Sequence, residues 1–371
     1  MKRVVVFCCD GYLSLGLIRS LGEAGYRPEC YCSGNHCEFF MASRYVSKSK
    51  HFKSVKDTFD YLLQEYPCYQ DKPYLFTIPD EPAYLVDMHY DQLKEKYILM
   101  NAGGQGRIAY WMDKRNQAEI ARRHGLTIPW TITLSKHDDI PDTIEYPVFT
   151  KSTRSVDGGK KDEGICWNRA ELERKRDEAL SDTLLVMKYI RKKKEIDYFG
   201  MSINGKVYID FHDEISRFPD GAYGYYGPFM RCENDETYQK CVSMMEEIGY
   251  NGLFDIEFLL GDDDVLYFME INFRADGAIY KLAEGVNLPA AWCELACLDK
   301  KELPERLPIK KDYFVGMTEV QDFKLNVLTG RMNPFKWFWQ FCQADRHMLF
   351  NLKDPKPIWV RLLSLFSNRR A

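Results

Sequence analysis

The stretch Tyr267–Gly277 reads YFMEINFRADG, and its reading decides the fold. Side chains of a strand alternate between faces, so Glu270, Asn272 and Arg274 point the same way. Upstream lies FDIEF, with Glu257, and then GDDD at Gly261–Asp264. Leu253–Leu260 and Val265–Ile271 therefore read as the arms of a hairpin. A two-residue loop at Asp263–Asp264 sets Glu257 opposite Glu270. A four-residue loop at Gly261–Asp264 sets it opposite Phe268, still on the face of Glu270. An even loop of either size brings the two carboxylates together. Opposed like charges destabilise a sheet. A hard divalent cation removes that penalty, and two carboxylates with an amide oxygen suit Mg²⁺. Arg274, one step further on, is placed to hold an anion that the metal also touches. The plainer reading is a solvated outer face where these groups meet water.

Two cations lie outward from this hairpin. YPVFTK (Tyr146–Lys151) is a strand ending in Lys151, and the loop STRSVDGGKKDEG follows. Gly158 and Gly159 let its backbone approach a phosphate closely. Lys114 opens the helix of MDKRNQAEIARRHG, which stops at Gly125. Each lysine taken alone reads as a surface charge. The pattern GxxxxGK[ST] is absent, so any ATP site here is of another type. Nearer the N-terminus, Arg3–Cys8, Arg27–Cys32, Tyr74–Pro79 and Tyr97–Asn101 read as strands. Helical stretches separate them, which predicts a parallel sheet with helices on its faces. Gly11 and Gly16 are too far apart for a dinucleotide fingerprint, and no acidic residue ends the second strand, so NAD is not expected.

The 371 residues carry 45% hydrophobic and 29% charged residues and a net charge of -4, an ordinary balance with no nucleic-acid footprint. Twelve cysteines show no paired CxxC spacing, and Cys30, Cys32 and Cys37 are close neighbours. In a chain of this size the pattern points to a reducing cytosol. The N-terminal apolar run of six residues reads as a first strand and not a signal peptide. No stretch approaches the roughly 20 apolar residues that span a membrane. One shift stands out. From Lys324 onward there are nine Lys and Arg against two Asp and Glu, a balance of +7; the remainder stands at -11.

The order MDKRNQ, YPVFTKS with a Gly-Gly loop, LLVMKYI…KEIDY, then FDIEF…FMEINFR resembles the ATP-grasp superfamily over roughly residues 1–298. Within it the chain is most similar to carboxylate–amine ligases of the D-aspartate ligase kind and to the synthetase domains of the carbamoyl-phosphate synthase large chain, which share E-x-N-x-R. The resemblance implies an α/β protein with an α+β lid. A Rossmann-like domain (1–105) would be followed by a linker helix and lid (106–190), a catalytic subdomain (191–310) and a basic, aromatic C-terminal extension (311–371). It implies ATP and two Mg²⁺ ions, with Mn²⁺ as a substitute, held by Glu257, Glu270 and Asn272. Lys114 and Lys151 would contact phosphates under a lid running from Ser155 through Gly158 and Gly159 to Lys160. The backbone of Met187, Lys188, Tyr189 and Ile190 would read adenine, and Glu195 the ribose. Arg274 would bind an acyl phosphate and, with the phosphate-contacting Lys151, serve catalysis. The chain departs from the family at Met187 or Lys188, where an acid is common, at Arg191–Lys194, where a glycine is common, and at Asn272-Phe273 in place of Asn-Pro.

The acceptor site is expected in Phe211–Phe229, with Arg217 as carboxylate clamp and His212 or Asp213 as polar contacts; the plain alternative is a surface loop packed by its own tyrosines. Asp10, Asp80 and Glu81 lie at the carboxyl ends of the first strands, where open sheets bind ligands. The expected activity is ADP-forming ligation of a small carboxylate to an amine, on a cell-envelope precursor, by a cytoplasmic protein, a homodimer being one expected assembly. The rivals are a bicarbonate-activating enzyme and a nucleotide-binding regulator without turnover. MNPFKWFWQF and PIWVRLLSLFSNRR in the tail either pack on the core or lie on the inner face of a membrane.

Overall fold

The computed structural model describes residues 2–367 except Asp10, His36 and 220–222. Strands β1 (Val4–Cys8), β2 (Glu29–Ser33), β3 (Lys48–Phe52), β4 (Tyr74–Ile78) and β5 (Ile98–Leu99) form one parallel sheet in the order β3-β2-β1-β4-β5. The whole of β1, VVVFC, is buried, as a parallel strand covered on both faces must be. The edge strand β3, KSKHF, is exposed, and its lysines blunt an otherwise open edge. Helix α1 (Gly11–Glu23) crosses one face and buries Leu15, Leu17, Ile18 and Leu21.

A four-stranded antiparallel sheet follows, in the order β6 (Thr131–Ser135), β9 (Thr183–Lys188), β7 (Val148–Ser152), β8 (Gly164–Cys166). The third sheet has seven strands. These are β10 (Lys192–Ile203), β11 (Lys206–Asp213), β12 (Tyr226–Arg231), β13 (Gly252–Gly261), β14 (Leu266–Asn272), β15 (Tyr313–Met317) and β16 (Arg346–His347). They are arranged β14-β13-β10-β11-β12-β15-β16, antiparallel except for the last pair. The expected boundary at 311 marks no separate body, because β15 and β16 extend this same sheet.

The C-terminal segment is also pinned to the first sheet's layer. Arg19 of α1 is fully buried and bonds Asp354 Oδ2 at 3.0 Å and the carbonyls of Met348 and Leu349 at 2.6 and 3.0 Å. Ser43 Oγ and the Arg44 N–H complete the Asp354 carboxylate at 2.8 Å each. Two further helices, α2 (Lys114–Arg123) ahead of the second sheet and α3 (Glu236–Ile248) between β12 and β13, cover the large sheet.

Candidate active site

The hairpin turn between β13 and β14 holds three residues, not an even number. Leu260 pairs with Leu266, and the Gly261 N–H donates to Val265 O at 2.9 Å. That register alone would set Glu257 opposite Met269. A β-bulge at Met269 absorbs one residue, so Phe258 faces Phe268 while Glu257 faces Glu270. The two carboxylates meet through the bulge and not through the expected turn.

The acidic row runs on across the sheet. Glu257 pairs with Asp197 of β10 on its other side. Tyr198 pairs with His212, which sets Asp197 beside Asp213, and Asp213 Oδ1 accepts from the Asp197 N–H at 3.2 Å. Glu270, Glu257, Asp197 and Asp213 thus line four neighbouring strands on one face. In the next row Asn272 faces Asp255. Asp197 and Asp255 stand two residues from Glu195 and Glu257, a spacing that marks them in the sequence once those glutamates are chosen.

Burial, then Glu270 and Asp276, push the Glu257 carboxyl up to about 8. Burial would raise Glu270 too, but Lys114 and Lys151 outweigh it and hold that carboxyl at about 2. Lys151 Nζ lies 3.1 Å and Lys114 Nζ 3.4 Å from Glu270 Oε2. Burial lowers Lys151, whereas for Lys114 the same cost is outweighed by Glu270, Asp80 and Glu257. Asp197 and Asp255 rise well above the usual range, through burial first and neighbouring carboxylates second. Burial lifts Asp213 to about 8 against the opposing charge of Lys281.

The edge strand β14 is held in register from outside the sheet. Gln117 of α2 donates to Ile271 O and accepts from the Ile271 N–H, both at 2.9 Å. The Phe268 N–H donates to Thr127 O at 2.8 Å. Gln117 lies within MDKRNQ, yet nothing in its residue type marks it as a clamp on a strand 154 positions away. Asp113 caps α2 by accepting from the Arg115 N–H at 2.9 Å, which starts the helix with Lys114 pointing inward.

Asn272 Nδ2 donates to Glu257 Oε1 at 2.7 Å and to Asp255 Oδ2 at 3.0 Å, and its Oδ1 accepts from Arg274 at 3.0 Å. Arg274 Nε also bonds Asp80 Oδ1 at 2.8 Å, bringing the carboxyl end of β4 into the site. Asp80, Lys114, Ser155, Glu270 and Asn272 line one small pocket. Glu81, beside Asp80, is exposed, and Asp10 lies outside the described residues.

The lid loop is tethered at both ends. Ser155 Oγ accepts from Lys114 Nζ at 3.1 Å. A Cβ on Gly158 would sit 1.8 Å from the Asp162 carboxylate, which the N–H groups of Leu180 and Ser181 hold at 2.8 and 3.0 Å. Gly159 turns with φ +56°. Met187 and Ile190 are buried, Lys188 bridges to Asp263 at 3.0 Å and Tyr267 at 2.9 Å, and Tyr189 lies 6.0 Å from the Trp167 ring. Glu195 is buried and accepts from Lys192 at 2.5 Å and the Gly224 N–H at 2.8 Å.

Two acceptor-site candidates fall elsewhere. His212 precedes Asp213 on the same strand and so faces the other side of the sheet. There it stacks on Tyr198 (5.3 Å) and contacts Cys232 at 3.6 Å. Arg217 is committed to the buried Asp322 through two bonds of 2.6 and 3.1 Å and to Gln340. Neither is a free contact for substrate in this arrangement. The same loop instead sends in Tyr223, whose ring lies 5.7 Å from Lys160 and 5.8 Å from Lys192.

The donor set fits Mg²⁺. Glu257, Glu270 and Asn272 offer hard oxygens, and Asp255 Oδ1 is buried without a hydrogen-bond partner. Among the described residues no three His, Cys, Asp or Glu side chains converge on one cation.

A parallel α/β sheet, an antiparallel four-stranded sheet and a large sheet carrying this row make up an ATP-grasp fold. Residues 181–320 match the family described as ATP-grasp in the biosynthetic pathway with Ter operon. The 2-oxoglutarate carboxylase small subunit of Hydrogenobacter thermophilus is 26% identical over 221 residues, 54% of this chain and 46% of that protein. The chain thus spans under half the length of that relative. Among solved structures, L-amino acid ligase from Bacillus licheniformis superposes with a TM-score of 0.63 at 14% identity, over 85% of this chain and 79% of that one. N5-carboxyaminoimidazole synthetase from Staphylococcus aureus complexed with ADP gives 0.63 at 17% identity, over 90% and 87%. The biotin carboxylase domain of the Hydrogenobacter thermophilus 2-oxoglutarate carboxylase, in complex with MgADP and bicarbonate, gives 0.62 at 19% identity, over 85% and 73%. No helix among the described residues is long and apolar enough to cross a membrane.

Proposed function

We propose that the protein is an ATP- and Mg²⁺-dependent ligase that joins a carboxylate to an amine. The observation that carries this is the convergence of Glu257, Glu270, Asn272 and Arg274 with two buried lysines on one face of the sheet. Glu257, Glu270 and Asn272 would hold Mg²⁺, one ion or two, with Mn²⁺ as a substitute. Bound there, the metal neutralises phosphate charge. The substrate carboxylate attacks the γ-phosphorus, and the bond to the β-bridging oxygen breaks to release ADP. The amine nitrogen then attacks the acyl carbon, the carbon–oxygen bond breaks, and phosphate leaves.

Lys114 and Lys151, released from Glu270 as it turns to the metal, would meet the phosphates, and Arg274 the acyl phosphate. The loop from Ser155 through Gly158 and Gly159 would close above them and keep water out. Glu195 would take the ribose, with Met187, Lys188, Tyr189 and Ile190 along the adenine. Asp213, beyond Asp197 on the same row, would be a polar contact for the acceptor substrate. A cell-envelope precursor met in the cytoplasm is the substrate class we favour, by the likeness to D-aspartate ligase. A screen of carboxylate and amine pairs for ADP release tests the reading: release should require both. Release that needs bicarbonate and no amine would favour the second reading, which the likeness to the 2-oxoglutarate carboxylase small subunit supports.

A further inference from the structure

Helix α4 (Pro334–Gln343) turns an apolar face to solvent. Phe335, Phe338, Trp339 and Cys342 recur at the spacing that stacks side chains into one stripe. All four are exposed, Phe335 by 86%, Phe338 by 61% and Trp339 by 65%. The helix is nonetheless seated by its other face. Trp337 Nε1 donates to Asp322 at 2.7 Å and its ring meets Phe323 at 5.0 Å, while Phe341 stacks on His347 at 4.2 Å. The outward stripe is therefore not an inner face that failed to find its core.

Helix α5 (Lys356–Ser367) repeats the arrangement. Trp359, Leu362 and Leu363 are exposed at the same spacing, and Leu352 ahead of them is exposed by 81%. Ile358 and Val360 pack inward. Phe341 touches Phe350 at 5.6 Å, so an aromatic path leads from α4 to the start of this second patch.

The sequence around the first stripe carries charge of one sign, while Glu38 is exposed on the short helix that packs against α5. From Phe323 to Ala344 there is no acidic residue, and Lys324, Arg331 and Lys336 are exposed. Lys353 and Lys356 flank α5 and are exposed too. With ten residues, α4 is about 15 Å long, half of what a bilayer core requires, so it can lie on a membrane but not cross it. A second copy is a poor occupant, because stripe against stripe would oppose three cations with three more and no acid between them. Tryptophan and phenylalanine beside lysine and arginine are the composition of an interfacial helix.

We infer that α4 and α5 dock the protein on an anionic lipid surface, with Phe335, Phe338, Trp339, Trp359 and Leu363 in the headgroup layer. The inference stands apart from the proposed reaction and needs no turnover to test. The full chain is sedimented with phosphatidylcholine vesicles, with and without phosphatidylglycerol, at low and at raised salt. Two variants accompany it: Phe335→Ser/Phe338→Ser/Trp339→Ser, and Lys324→Gln/Arg331→Gln/Lys336→Gln. All six positions are exposed, and thermal melts check that each variant folds. Binding should require phosphatidylglycerol, weaken with salt, and fall by roughly tenfold or more in each variant. Three outcomes overturn the inference: no binding of the full chain at low salt, binding that both variants retain, or self-association that the aromatic variant abolishes, which would assign the stripe to a second copy.

Discussion

Glu257 and Glu270 face each other across neighbouring strands, yet they titrate in opposite directions. Glu257 is pushed up to about 8, while Glu270 is held at about 2 by Lys114 and Lys151. The pair is therefore two different problems for the metal-free protein. Replacing Glu257 with Gln removes a costly charge and should raise the melting temperature. Replacing Glu270 with Gln leaves two buried ammonium groups without their carboxylate and should lower it. On the proposed function, in which each is a metal ligand, both variants should lose ADP production by orders of magnitude. Equal shifts in melting temperature would refute the division of roles.

The same pair sets a pH dependence. A carboxyl raised to about 8 in the fold binds protons that the unfolded chain has already released, so its contribution falls as pH rises from about 4.5 to 8. Asp213, also near 8, adds to the same slope. Glu270 contributes in the other direction and is lost only as pH falls from about 4.5 toward 2. Stability of the metal-free protein should therefore decline between pH 5 and 8. Glu257→Gln and Asp213→Asn should each flatten the decline, and Mg²⁺ with ATP should offset it. Denaturant titrations across that range read the effect.

Much of this site is visible in one dimension because period-2 alternation fixes which face a strand residue takes. Glu270, Asn272 and Arg274 follow from that rule alone, whereas Glu257 joins them only through the bulge. The bulge at Met269 does not follow from it, since it depends on how a three-residue turn and the bonds from Gln117 and Thr127 share one strand. The row from Glu270 to Asp213 is invisible for a related reason. It requires the register of β10 against β11, shifted by an irregularity at Phe199 and Gly200, and against β13, which lies far along the chain. A single step of parity separates Asp213, in the row, from His212, on the opposite face. The strands β15 and β16 are short edge pieces whose pairing comes from the sheet they join, so the tail reads as an appendage until the fold is seen.

Arg274 connects the site to the first sheet through Asp80. Lysine at 274 keeps the charge but loses the fork that spans Asp80 and Asn272. On the proposed role, in which the guanidinium meets an anion formed only during reaction, turnover should drop while ATP affinity stays close to that of the parent. Matching losses in nucleotide binding, measured by calorimetry, would assign Arg274 to ATP.

The buried pair of Arg19 and Asp354 gives a stability prediction far from the chemistry. Asp354→Ala leaves a fully buried guanidinium with only carbonyl partners, a change that costs about 3–5 kcal/mol when one partner of such a pair is removed. Arg19→Met/Asp354→Leu removes both charges and should recover most of the loss. Urea unfolding distinguishes the two, and a double variant as unstable as the single one would contradict the account.

Arg217 separates two views of the loop that follows β11. As a substrate clamp, its replacement by Ala would raise the KM for one substrate and leave unfolding unchanged. As the partner of Asp322, which is fully buried and also accepts from Trp337, its loss strands a carboxylate and should cost about 3–5 kcal/mol. The fork also bonds Gln340 on α4 and lies 4.0 Å over the Tyr226 ring, so the same residue ties this loop to the outward helix. The structure favours the second view. Arg217→Ala should lower stability strongly, and Arg217→Lys should lower it less while blurring the loop that brings Tyr223 toward Lys160. A variant with parental unfolding and an isolated KM defect would return Arg217 to the substrate.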